Sequence, residues 1–104
     1  MERVGSAQID FATDAAGCRI VTIVGELDVS CAEMVQEAVD THLQDGPDRV
    51  VFELAGLEFM DSSGIAVLIQ SRAKCGSLEV RNPTTIVRRV LEVTGLAHEF
   101  GIAT

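Results

Sequence analysis

Phe59-Met60-Asp61-Ser62-Ser63-Gly64-Ile65-Ala66-Val67-Leu68-Ile69 is the stretch on which the reading of this chain turns. The short apolar run before it, Val50-Val51-Phe52-Glu53-Leu54, reads as a strand. The apolar segment after it meets no breaker until Gly76. The pattern is strand, loop, then a helix opening at or beside Asp61 and Ser62. Period alone leaves the segment ambiguous, because Ile65, Val67 and Ile69 are β-branched. Three features decide for helix. Ser62 to Cys75 is too long for an ordinary strand. Ile65, Leu68, Ile69, Arg72 and Ala73 share one helical face. The polar opening is a helix-start signature. Short polar side chains and a glycine at such a start leave backbone N–H groups uncommitted, and that end of a helix favours negative charge. The Ser62 hydroxyl is then either a cap or a group awaiting an anion, and spacing alone favours the cap reading of Asp61 and Ser62.

Upstream, Ala7 to Thr13 alternates, with Ile9 and Phe11 on one face and Gln8 and Asp10 on the other, as in an edge strand. Asp14-Ala15-Ala16-Gly17 signals a turn. Cys18 to Val24 is nearly continuous apolar sequence, as in a strand buried on both faces. These two strands read as an antiparallel hairpin. Gly25-Glu26-Leu27-Asp28-Val29-Ser30 leaves the second strand, with Asp28 or Ser30 as the cap of a helix over Cys31 to Leu43. Its stripe is Cys31, Met34, Val35, Ala38, Val39 and Leu43. Asp45-Gly46-Pro47-Asp48 stops it. Arg49 to Leu54 is the third strand, and Ala55 to Met60 reads as a loop. Downstream, Leu78 to Arg81 is a short strand. Asn82-Pro83-Thr84-Thr85 opens a third helix, with Ile86, Val87, Val90, Leu91 and Thr94 inward and Gly95 as its stop. Glu99 to Ile102 reads as a last short strand. The order predicts an α/β fold: a small mixed sheet of four to five strands, antiparallel at the N-terminus and otherwise mostly parallel, packed with three helices.

Composition narrows the function. The 104 residues suit one domain, 1–104, with a single core. Apolar residues at 47% mark a folded chain. Eight basic against sixteen acidic residues give a net charge of −8, which repels phosphate backbones and anionic lipid. Neither nucleic acid nor a membrane is expected as partner. The longest apolar run is far short of the roughly 20 residues of a membrane span, Met1 to Gly5 has no signal-peptide character, and a cytoplasmic location is expected. Cys18, Cys31 and Cys75 lack the spacing of a disulfide framework or a zinc site and read as small core hydrophobes. No metal and no cofactor is expected.

In open parallel sheets, sites gather beyond the carboxyl ends of strands. Two loops qualify, Gly25 to Ser30 and Ala55 to Ser62. If strands two and three are adjacent and parallel, Asp28 and Ser62 approach one another. Nucleophilic catalysis at Ser62 is disfavoured. Its surroundings lack the Gly-x-Ser-x-Gly elbow, and His42 and His98, the only candidate bases of that type, lie outside these loops. There is no Gly-rich phosphate loop with a lysine. The chain does not read as an enzyme.

Leu57-Glu58-Phe59-Met60-Asp61-Ser62-Ser63-Gly64 and its following helix resemble the signature of the STAS domain, and more narrowly that of bacterial anti-sigma-factor antagonists. Gly25-Glu26-Leu27-Asp28 resembles their second-strand loop, and Asn82-Pro83 and Thr94-Gly95-Leu96 the boundaries of their third helix. The resemblance spans nearly the whole chain, although such domains often carry a further C-terminal helix. It implies an antagonist that binds an anti-sigma factor with serine kinase activity and so releases a sigma factor. It implies phosphorylation of Ser62 by that kinase and reversal by a serine phosphatase. The implied docking surface includes Glu26, Asp28, Met60, Asp61, Ser63, Gly64 and Ile65, on a monomer or weak dimer. Met60, Ile65 or Ala66 would add apolar contact, with core filling the other reading of Met60. Phosphate adds roughly −1.5 to −2 charges to an acidic patch. Losing about 3 kcal/mol there weakens binding roughly a hundredfold. The alternative role is a STAS scaffold or transport-system subunit indifferent to Ser62.

Overall fold

Asp14 and Gly17 make the first reversal. The Asp14 carboxylate accepts from the N–H groups of Ala16 and Cys18, both at 2.9 Å, and Gly17 takes a left-handed φ of 86° that a side chain would resist. The strands on either side are β2 (Ala7–Thr13) and β3 (Arg19–Leu27), paired antiparallel as predicted. In the computed structural model, which describes residues 1–102, the chain continues with α1 (Ala32–His42), β4 (Arg49–Glu53), β5 (Leu57–Met60), α2 (Ser62–Arg72), β6 (Ser77–Arg81) and α3 (Thr85–Val93). A short β1 (Glu2–Val4) precedes β2 and pairs with it antiparallel.

The mixed sheet and the three helices match the expected α/β class. Its spatial order is β1-β2-β3-β4-β6, with β5 paired to β3 beyond β4. β3–β4, β3–β5 and β4–β6 are parallel. The sheet has six strands rather than four to five. Two were unforeseen: β1, and β5, which was expected to be loop. Leu57 and Met60 of β5 are buried while Glu58 and Phe59 are exposed, so the segment carries no period-2 signal. Its strand character comes from its partner. β4 pairs with Arg19 to Thr22 and β5 with Gly25 to Leu27, end to end along one side of β3. The register shifts between Gly25 and Glu26. A Cβ on Gly25 would lie 2.5 Å from the Ser6 carbonyl oxygen, so the bulge needs glycine.

The expected last strand is absent. Residues 97–101 form turns, with Phe100 N–H donating to Leu96 O and Ile102 N–H to Ala97 O. These bonds consume the groups a strand would use, although Val80 N–H still donates to Phe100 O. Phe100 is fully buried with Phe52, Ile23, Leu27 and Leu68, and each such side chain contributes about 1.5–3 kcal/mol by burial. β4 buries Val50, Val51 and Phe52 in succession, whereas β3 alternates. The doubly buried strand is therefore β4, not β3.

Each helix face differs in part from expectation. α1 buries Ala32, Val35 and Val39 but leaves Met34, on the expected stripe, exposed. α2 buries Gly64, Val67, Leu68 and Ser71, leaving Ile69 exposed. Small residues at 64 and 71 let the helix approach closely, and that outweighs the larger apolar side chains. α3 buries Val87 and Leu91 as predicted, but Ile86 and Thr94 are exposed. Cys18 and Cys31 are buried free thiols. Cys75 is half-buried, and burial pushes its thiol up despite the nearby Arg72.

Candidate functional site

An Asp side chain two residues before a Ser can fold the backbone onto itself, accepting from the N–H and the hydroxyl of that Ser. The chain does this twice. Asp61 Oδ1 accepts from Ser63 N at 2.9 Å and from Ser63 Oγ at 2.6 Å. Asp28 Oδ1 accepts from Ser30 N at 3.0 Å and from Ser30 Oγ at 2.6 Å. The main chain repeats the match. Asp61 O takes the N–H groups of Gly64 and Ile65, and Asp28 O those of Cys31 and Ala32. Asp61 is the N-cap of α2. Neither Asp28 nor Ser30 caps α1 by side chain; Cys31 stands at that position without a side-chain capping bond, and the preceding turn absorbs the free N–H groups.

The two turns share one edge, as the topology argument requires. Leu27 pairs with Met60 across β3 and β5, and Asp61 N–H donates to Leu27 O at 3.4 Å. Gly64 allows the approach. A Cβ there would lie 2.4 Å from Met60 Cγ and 3.1 Å from the Leu27 carbonyl oxygen. The Ser63 hydroxyl, opposed by partial burial, holds the Asp61 carboxyl below its ordinary range; the N–H groups of Ser63, Gly64 and Val29 add to this.

Ser62 and Ser63 thus differ although adjacent. Ser63 is half-buried and its hydroxyl is spent on Asp61. Ser62 is exposed, and its hydroxyl has no hydrogen-bond partner among the described residues. Glu26 is exposed, and Asp28, Asp61 and Ile65 are half-buried on this edge. Met60, at 2% exposure, fills the core. Gly64 is buried too. Neither presents a side chain to a docked protein, because the turn into α2 points both inward. The reading missed Val29 and Phe59, exposed at 81% and 45%. Val29 carries no motif, and only the pairing of β3 with β5 brings its turn to the edge that carries Asp61 and Ser62. Phe59 looks like core until β5 is known to turn it outward.

A groove of about 240 Å³ runs between α1 and α2, lined by Ala32, Glu33, Gln36, Ser63, Ala66, Val67 and Gln70. At the other end of α1, His42 stacks on Phe11 with ring centroids 3.6 Å apart, outside both turns. Among the described residues, no three His, Cys, Asp or Glu side chains gather so as to hold a metal ion. No helix among them is long and apolar enough to cross a membrane.

The STAS domain model matches residues 9–104, from within β2 onward and across both turns. This chain belongs to the STAS domain family. An anti-sigma F factor antagonist of Paenibacillus polymyxa is 34% identical over 85 residues, 77% of this chain and 73% of that protein. The anti-sigma-F factor antagonist RsfB of Mycobacterium tuberculosis is 29% identical over 90 residues, 84% of this chain and 74% of that one. Among solved structures, an anti-sigma factor antagonist from Mycobacterium paratuberculosis superposes with a TM-score of 0.80 at 26% identity, covering 93% of this chain and 85% of that one. The STAS frame therefore holds both Asp-x-Ser turns of this chain.

Proposed function

We propose that this protein is an anti-sigma factor antagonist: it binds an anti-sigma factor that is also a serine kinase, releases the sigma factor held by it, and is switched off by phosphorylation of Ser62. The observation that carries this reading is the contrast between two neighbouring hydroxyls. Ser63 completes a cap, while Ser62, one residue earlier, stands exposed and unengaged at the edge where the two turns meet. The names of the relatives support the antagonist role. The protein itself acts without turnover. Ser62 supplies an acceptor oxygen, and the kinase brings Mg²⁺, nucleotide and base. A serine phosphatase restores the hydroxyl. Glu26, Asp28, Asp61, Ser63 and Ile65 surround Ser62 as the docking surface, with Met60 and Gly64 supporting it from beneath.

The switch is electrostatic. No Lys or Arg occurs between Arg19 and Arg49 or between Arg49 and Arg72, so the segments that build this edge bring no cation to a phosphate on Ser62. The added charge and bulk stay on the surface and must be stripped of water when a partner docks there, a cost the hydroxyl avoids. Incubation with the kinase and Mg-ATP, followed by mass spectrometry, should place the phosphate on Ser62 alone. Phosphate on Ser63, elsewhere, or nowhere overturns the reading. Ser62→Ala should bind the partner with or without ATP, and Ser62→Asp should bind roughly a hundredfold more weakly.

A further inference from the structure

Val29 is the most exposed large hydrophobic residue among those described. Its exposure is not looseness of the chain. The turn around it is closed by Ser30 N and Ser30 Oγ on Asp28 Oδ1, and by Cys31 N and Ala32 N on Asp28 O at 3.1 and 2.9 Å. A well-bonded turn thus holds an isopropyl group in water. Its place follows from the register. Leu27 and Met60 are the last pair of the ladder, and the Val29 N–H bonds to the Asp61 carboxylate, so Val29 and Ser62, each the middle residue of its Asp-x-Ser turn, share this edge. The segments around them supply Glu26, Asp28, Glu33, Glu58 and Asp61 and no cation.

We propose that Val29 is the apolar anchor of this edge, and that it enters an apolar socket rimmed by lysine or arginine on the protein that recognises Ser62. The inference rests on the reading of Ser62 as the partner-facing hydroxyl. Interfaces concentrate their binding energy in a few desolvated side chains within a polar rim. Here the acids form the rim and Val29 the centre. Charge complementarity selects the occupant. A second copy of this chain would bring carboxylates against carboxylates, whereas a basic socket pairs with each of them. The placement also links anchor to switch. Seating Val29 also takes water from the Asp61 turn that its N–H bonds, and so from position 62 in that turn: a hydroxyl accepts that at modest cost, and a phosphate dianion does not.

The test titrates the purified anti-sigma factor encoded in the same genome into wild type, Val29→Ala, Val29→Ile and Val93→Ala by calorimetry. Val93, 76% exposed on α3, is the matched control. Val29→Ala should weaken binding about tenfold, roughly 1.4 kcal/mol. Val29→Ile should keep wild-type affinity, and Val93→Ala should stay within about twofold. Melting temperatures of all four should agree, which excludes a folding defect. Val29→Ala within twofold of a binding wild type overturns this inference alone. A wild type that does not bind overturns it together with the proposed function. Self-association abolished by Val29→Ala in sedimentation would reassign the edge to a second copy and overturn the basic socket.

Discussion

The turns at Asp28 and Asp61 have the same hydrogen bonds at the same offsets, yet the molecule uses them differently. Their middle residues are Val29 and Ser62, an isopropyl group and a hydroxyl, both turned to water. Three residues beyond each aspartate stand Cys31 and Gly64, both buried. At Gly64 the bare backbone lets α2 start directly on Leu27 and Met60. At Cys31 the thiol donates to Glu26 O at 3.4 Å, and α1 begins a residue later. One local motif can therefore present a modifiable group or a contact group, and one side chain selects which.

The largest effect expected from breaking this pairing is Gly64→Ala. The new methyl group meets Met60 Cγ and Leu27, so stability should fall by about 2 kcal/mol in urea unfolding. Cys31→Ala, at the equivalent place in the other turn, should lose less, about 1 kcal/mol. Equal losses would show that the close approach at α2 is not special. Asp61→Ala should cost about 1 kcal/mol as a lost N-cap, and Asp28→Ala visibly less, since α1 takes no side-chain cap. Acid should report the same asymmetry. The folded Asp61 carboxyl ionises below its unfolded range, so its contribution is complete above the unfolded value of about 3.9 and is lost as pH falls through the lower folded value. The urea midpoint should drop below about pH 4, and Asp61→Asn should remove part of that slope. Asp45, held low by its bond to Arg19, supplies a slope of the same sign in both proteins. The smallest effect is Ser62→Ala, whose hydroxyl supports nothing: its melting curve should stay within about 0.5 kcal/mol of wild type.

How legible the molecule was in its sequence differed from helix to helix. α3 has a polar and an apolar side, and Val87 and Leu91 could be read as core from spacing alone, while Ile86, in the first turn, stands exposed. α2 is apolar nearly all round, so spacing could not say that Gly64 and Ser71 face inward while Ile69 faces out. Met60 was balanced between core and surface for the same reason. The candidate site divided likewise: two small polar residues and a glycine announced a helix start, and the resemblance to the STAS signature singled out Ser62 within it, whereas Val29 and Phe59 have no local signature.

What the chain order alone settled were the features decided within a few residues: the hairpin turn at Asp14-Gly17, the succession of strands and helices, the opening of α2 at Asp61-Ser62, and the acidic character of the surface. Hydrogen-bonded turns, helical periodicity and net charge need no distant partner. Only the folded molecule decided that residues 57–60 are a strand, that Met60 turns inward, and that the turn carrying Val29 meets the turn carrying Ser62. Each of these depends on β5 finding the second half of β3, a pairing between segments far apart in the chain, and its register is set by burial of Leu27, Leu57 and Met60 in a common core.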